Sequence, residues 1–414
     1  MLLQRKLFAR GNIGCVLKKV TSHVVLLFVI VLIFSFFVSV FCDVSFVVGA
    51  SDVAVSTEVD LKNAINNAQT GKSTVITLNK DITLTTLESA SNYSDYSDGY
   101  ALLVIPPDKN ITLTSNKANG YYKLIGATNG TVICVVTGAV LRLDGITITP
   151  ARNVAGCGVS NIGGTLYLYS GSIMGNKAYS WGGVHNDGVF EMSGGTISDC
   201  NNTYGSGVWN SGTFSMFGGT ISGNVATSDG GGVYNTFRGA FTMTGGTISG
   251  NTATERGGGV HIVYGEFAMS GGEVSGNTAH KYGGGVYNAG GGIYDDMGLF
   301  VRSAFVLSGG KVVSNTAYQG GGLYNEGTFT VSGGMITSNT ASNGYNDVYP
   351  DGGDDLSGGN DGFSNGNSGM SNGNNGLSIG GFSLRGIVTI CVIAAIIMVC
   401  IVLVVLYVSS LKRI

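Results

Sequence analysis

Six ring-bearing residues recur at one position of a repeated segment: His185, Trp209, Tyr234, His261, Tyr287 and Tyr324, each directly after a Val or a Leu. Neighbouring side chains of an extended strand point to opposite faces, so an inward Val places the following ring outward. With strands about 4.8 Å apart, the rings form a stripe along one side. Such a stripe can lie against sugar faces, or it can stack on itself and shield the edge of the fold. The candidates for ligand contact are Trp209, Tyr234, Tyr287 and Tyr324. A second candidate is the interruption of the repeat near 289–304, where Asp295, Asp296 and Arg302 concentrate charge. A bare Asp pair on a loop is ordinarily a solvated turn.

Other chemistries are poorly served. The chain has 22 Lys and Arg against 25 Asp and Glu, a net charge of −3, which offers no basic field for nucleic acid. Its seven Cys split into Cys15 and Cys42 near the start, Cys391 and Cys400 near the end, and Cys134, Cys157 and Cys200 between. Three is an odd number, and no C-x-x-C spacing exists, so the central set reads as small buried hydrophobes rather than as disulfides or a metal site. Calcium-loaded solenoids of the nonapeptide type carry an Asp in each Gly-rich turn, where this chain has Asn or Thr. No metal, cofactor or catalytic residue is assigned.

The elements that must position the rings follow from an internal repeat. Among 414 residues, 69 are Gly, yet 4 Pro and no three-residue period exclude collagen, while 43% hydrophobic residues argue against disorder. GGGVYN at 230–235 and 283–288 and GGGLYN at 320–325 each precede an apolar alternation and then a segment such as SGGTISGNTA. Taking the branched residue of that segment as anchor gives Ile173, Ile197, Ile221, Ile248, Val274, Val312 and Ile336, at intervals of 24, 24, 27, 26, 38 and 24. Each unit holds period-2 strands: a Phe/Met pair such as Phe214 and Met216, the Ile anchor, and a Val such as Val208. One unit cannot bury its apolar face alone, but stacked units can. The reading is an all-β, right-handed parallel β-helix over 51–349, with clear repeats over 153–341. Two columns of Asn, one containing Asn186, Asn210 and Asn235 and the other Asn224, Asn251 and Asn277, should bond from coil to coil. Upstream, Thr57 to Gly71 reads as a short capping helix, with Leu61, Ala64, Ile65 and Ala68 on one face and Thr57 as its cap.

Both ends are apolar. Residues 1–50 place Arg5, Lys6, Arg10, Lys18 and Lys19 before an uncharged run from Val24 to Cys42, the order of a signal peptide or signal-anchor. Residues 385–408 contain the 22-residue uncharged run Ile387 to Val408, long enough to span a bilayer, and 409–414 form a short basic tail. Between them, 350–384 is a Gly/Asn/Ser-rich linker. This order implies a plasma-membrane protein with a single C-terminal span and its β-helix outside the cell.

The paired motifs, GGGVYN with I-x-x-N as in Ile221 to Asn224, resemble the repeats of chlamydial polymorphic outer-membrane proteins and, more closely, archaeal adhesin-like surface proteins. LKNAINNA at 61–68 followed by VITLNKDITL resembles the start of the pectin-lyase-like β-helix group. The resemblance covers roughly 55–349 and implies fold more than activity, since that group contains lyases, hydrolases, adhesins and passive stalks. Its lyases imply a carboxylate cluster with an Arg base, and its hydrolases several Asp, a His and R-x-K. Here charge is scattered and no R-x-K accompanies Asp295 and Asp296. The expected function is therefore non-enzymatic: a membrane-anchored, adhesin-like or structural surface protein contacting extracellular polysaccharide or another cell surface. The alternative is a polysaccharide lyase or glycoside hydrolase.

Overall fold

The computed structural model describes residues 51–90, 100–115, 120–177, 182–294 and 300–349. Over these the chain winds into about eleven coils, each pairing in parallel with the next. The expected signal, linker and membrane span lie outside the described residues. Among the described residues no helix is long and apolar enough to cross a membrane.

Three faces run along the solenoid. A long face of 16 strands carries both the Phe/Met strand and the Ile strand, joined through the Ser-Gly-Gly bend rather than forming separate faces. A ring face of 11 strands includes Val184–Asn186, Val208–Asn210, Val233–Thr236, Val260–Val263, Val286–Asn288 and Leu323–Asn325. The third face, of six strands, is built largely from Thr-Ala pairs such as Thr252–Ala253 and Thr278–Ala279. Two residues are too few to show an alternation, which is why the sequence pattern gave no strand there.

The repeat works because identical positions stack in register. Ile111, Leu141, Leu166, Phe190, Phe214, Phe241, Phe267, Phe305 and Phe329 form one column. From Phe190 to Phe329 the ring centroids lie 4.5–5.3 Å apart. Burying one such ring is worth about 1.5–3 kcal/mol. The Met column beside it, the Ile anchors and the ring-face Val residues fill the rest of a single continuous core.

Both Asn columns are hydrogen-bonded ladders. In the first, Asn161, Asn186 and Asn210 each donate from Nδ2 to Oδ1 of the next Asn at 2.7 Å, ending at Asn235. Ile262 occupies the next position, and the ladder resumes from Asn288 to Asn325. The second runs from Asn224 through Asn251, Asn277 and Asn315 to Asn339 at 2.8–2.9 Å and ends on the Asp347 carboxylate. Cys200 takes the Asn place before it, and its N–H donates to Asn224 Oδ1. Cys134, Cys157 and Cys200 are free and buried, and burial raises all three thiols, Cys134 to about 12 and Cys200 to about 11.

The N-terminal end is closed as expected. Helix α1 (Glu58–Asn67) is capped by Thr57 Oγ1, which accepts from the Asp60 N–H, and buries Leu61, Ala64 and Ile65. It follows a strand, β1 (Ser51–Val55), which pairs in parallel with β2 (Ser73–Leu78) and was not legible in the sequence. Glu58 ties α1 to the next coil by accepting from the Thr85 and Thr86 N–H groups and the Thr85 hydroxyl, with Lys62 3.0 Å away. Partial burial acts to raise its pKa, but these donors prevail and hold it at about 2, below the ordinary 4.5. A lowered folded-state pKa contributes stability above the unfolded value and loses it as pH falls towards 2. Glu58→Gln should therefore remove stability at pH 7 and flatten the acid limb between about pH 4.5 and pH 2, read by urea denaturation at stepped pH. An unchanged acid limb would sink this assignment.

The other end has no such cover among the described residues. The last long-face strand, Thr328–Thr337, pairs on one side only, leaving Phe329 and Val331 half-buried.

Candidate functional site

Alternation sends each ring away from the core, but a second column decides how far the rings reach solvent. Tyr204, Asp229, Arg256 and Tyr282 all stand just before the glycine turn of their coil. Each leans over the ring of the following coil. Tyr204 lies 5.4 Å from Tyr234, Asp229 Oδ1 is 3.6 Å from His261 Nδ1, the Arg256 guanidinium stands 5.5 Å over Tyr287, and Tyr282 lies 4.7 Å from Tyr324.

The four candidate rings are thereby divided. Trp209 and Tyr234 are half-buried neighbours in register. Tyr287 and Tyr324 are only 4% and 8% exposed, stacked at 5.4 Å in a small cluster with Ala289. The column continues to Tyr349, 4.3 Å from Tyr324. Asp295 and Asp296 lie outside the described residues, while Arg302 is exposed with its guanidinium 5.3 Å over Phe300.

Two exposed rings missed in the sequence complete the open part of the stripe. Phe237, 61% exposed, packs 6.4 Å from Trp209, and Tyr204, 40% exposed, flanks Tyr234. Tyr204 with Tyr234 and Trp209 with Phe237 thus form two ring pairs on adjacent coils, set side by side by the Trp209–Tyr234 register. Their corner is unusual. Regular coils return from the ring face to the long face through two residues, as Asp187-Gly188 or Ser211-Gly212. Three successive coils lengthen this turn at Thr236–Gly239, Val263–Gly265 and Ala289–Ser303. Phe237, Arg238 and Tyr264 adopt φ of 46°, 69° and 57° there, an outlying backbone for bulky side chains. Turn length measured against the Asn column was the available signal, because per-repeat insertions in solenoids map to loops on one face.

Beside these rings sits a polar cluster. Among the described residues seven buried side-chain nitrogen or oxygen atoms lack a hydrogen-bond partner, and four of them belong to Asp229 (Oδ1), Arg256 (Nε) and His261 (both ring nitrogens). Burial pushes His261 below its ordinary range against the pull of Asp229. Burial acts to raise Asp229, but His261, Arg256 and the Ser228 hydroxyl hold it below the usual carboxylate range. A neutral imidazole thus faces a carboxylate, and at 3.6 Å the two do not make a hydrogen bond. His185 differs: its Nδ1 lies 3.1 Å from Ser160 Oγ and its Nε2 3.5 Å from Asp187. Tyr287 donates to Glu326 Oε2 at 2.6 Å, and burial together with that carboxylate raises the phenol. Burial likewise pushes Tyr234 up to about 12.

By fold the chain is a parallel β-solenoid. No protein-family model, curated protein or solved structure matches it.

Proposed function

We propose that this chain is a membrane-anchored surface protein of adhesin-like type that holds an extracellular glycan, or a glycan-coated surface, against the ring face. The observation that carries this reading is the group of Tyr204, Trp209, Tyr234 and Phe237, in which Tyr204 and Phe237 are exposed and Phe237 stands on outlying backbone at a lengthened corner. Flat rings offer a sugar large apolar area with little side-chain entropy to lose. The uncharged run Ile387 to Val408 supports the anchor, and kinship with right-handed, pectin-lyase-like and adhesin-like β-helices rests on the motifs described above.

Replacing Tyr204, Trp209 and Phe237 together by Ser should weaken binding to polysaccharide or to whole cells by about tenfold or more. Two of the three are exposed, so thermal unfolding should shift little. Unaltered binding in a folded variant would remove these rings as the site. Release of reducing or unsaturated ends from polysaccharide would favour the lyase or hydrolase reading, to which the Asp229, Arg256 and His261 cluster lends its polar groups.

A further inference from the structure

We propose that the last coil, from Thr328 to Tyr349, is an interface at which a second copy of this chain meets the first tail to tail. The joint is independent of whatever the ring face holds. Among the described residues the strand Thr328–Thr337 pairs only with Ala304–Val313, so its outer edge presents unpaired N–H and C=O groups over a ten-residue strand. One coil further in, Phe305 and Leu307 are wholly buried, whereas Phe329 and Val331 are half-buried and Met335 and Tyr345 are each 46% exposed. The core therefore ends on apolar side chains, where a stack of repeats ordinarily carries a polar cap.

Natural sheets guard such an edge with a charge, a Pro, a short strand or a covering helix. Here the strand is ten residues long, and neither a charged residue nor a Pro occurs from Gly327 to Asn346. The residues that follow do not read as a covering strand. From Leu356 to Leu377 their large apolar residues stand seven apart, at Phe363 and Met370 between, and an odd spacing sends successive ones to opposite faces of a strand. Leu377 with Ile379 and Phe382 with Leu384 do alternate, but Gly380 and Gly381 part the two pairs and change their parity. Four Asp and no Lys or Arg accompany them between 350 and 384. A second copy brings an edge of the same uncharged, apolar kind, so no charge need be stripped of water when the two meet.

The opposite end does not supply a matching surface. There α1 closes the core, burying Leu61, Ala64 and Ile65 and carrying Glu58, Asp60 and Lys62, and the edge strand β1 is five residues long with Asp52 exposed on it. A last coil stacked head to tail on that end would meet helix instead of strand, and charge instead of apolar surface. A two-fold axis across the rod sets last coil against last coil. It reverses every strand of one copy relative to the other, so the two Thr328–Thr337 edges meet antiparallel and exchange the hydrogen bonds that each lacks. Phe329 and Val331 of each copy are then covered by the other. Both open ends are used in this one contact, and assembly stops at two.

The test uses the purified full-length chain in detergent, weighed by sedimentation equilibrium at about 1–100 μM, because one coil end is a small interface. Twice the monomer mass is expected at the upper concentrations, and electron microscopy should show a rod about 100 Å long, twice about eleven coils at about 4.8 Å. Val331→Lys, which points a charge into the joint, should weaken association by about tenfold or more. Thr330→Lys with Met335→Lys, both at exposed positions, should do the same, and serves if Val331→Lys does not fold by circular dichroism. Ala54→Lys, exposed on β1, should leave the dimer intact. Monomer at every concentration overturns the joint and directs the search for a cover to the residues after Tyr349. A dimer that survives both folded last-coil variants lies elsewhere, the run Ile387 to Val408 included, and overturns it as well. Loss of the dimer in Ala54→Lys, or a mass that grows beyond two copies with concentration, overturns the two-fold geometry in favour of head-to-tail stacking.

Discussion

Replacing Asn251 by Ala is expected to lower the stability of the solenoid by about 3–6 kcal/mol, two to three unmet buried hydrogen bonds at about 1–3 kcal/mol each. Asn251 is wholly buried, and its side chain makes four bonds. Its Oδ1 accepts from the Asn224 N–H and from Asn224 Nδ2, while its Nδ2 donates to the Ile221 carbonyl and to Asn277 Oδ1. Alanine leaves the Asn224 groups and the Ile221 carbonyl unpaired in a site where water has little room. Chemical denaturation should show a lowered midpoint, and Asn251→Asp should recover less than half of the loss because an ionised carboxylate cannot donate to Ile221. At Asn339 the ladder does end on a carboxylate, Asp347, but there only the accepting half of the role is required. A change under about 1 kcal/mol for Asn251→Ala would show that the ladder is decorative.

A comparable loss, about 3 kcal/mol or more, is expected from Gly258→Ala, because overfilling here meets main chain rather than a side chain that can rotate away. A Cβ at Gly258 would stand 2.5 Å from the Thr278 carbonyl carbon and oxygen and 2.6 Å from the Gly284 oxygen. The coils are held at that spacing by N–H to carbonyl bonds from Gly258 to Gly283 and from Gly259 to Gly284, so relief of the clash breaks the ladder. Gly250→Asn is the matched control. Gly250 has φ +63° and nothing within 4 Å of an added Cβ, and its counterparts Asp199, Ser314 and Ser338 already adopt φ of 56–59°. It should cost no more than about 1 kcal/mol. Denaturation midpoints of both variants decide the matter, and equal losses would show that close approach is not what the second glycine of the turn supplies.

The sequence disclosed what repeats with large side chains. The Phe and Met pairs, the Ile anchors, both Asn ladders and α1 stand where their periodicities put them, because each was an alternation or a helical face long enough to count. The Thr-Ala face escaped because two residues carry no period, and β1 because it precedes the helix without a turn signal. For the ring column, alternation gave the direction of each side chain but not its cover. Cover comes from a residue about 30 positions earlier, as Asp229 to His261 or Arg256 to Tyr287, which no alternation within one coil connects to the ring it covers. Hence Tyr287 and Tyr324 are shut in, while Trp209 and Tyr234 remain reachable.

The lengthened corners separate two things that most folds tie together. Across insertions of unlike size, Val233, Val260 and Val286 still pair in register, and so do Phe241, Phe267 and Phe305. Loop closure grows only slowly with length, about 0.6 kcal/mol for each doubling, so chain can be added at this corner without altering the neighbouring coils. Inheritance can therefore rewrite what the protein presents while leaving how it folds untouched. Diversity among descendants of such a chain would collect at one edge of an unchanging rod.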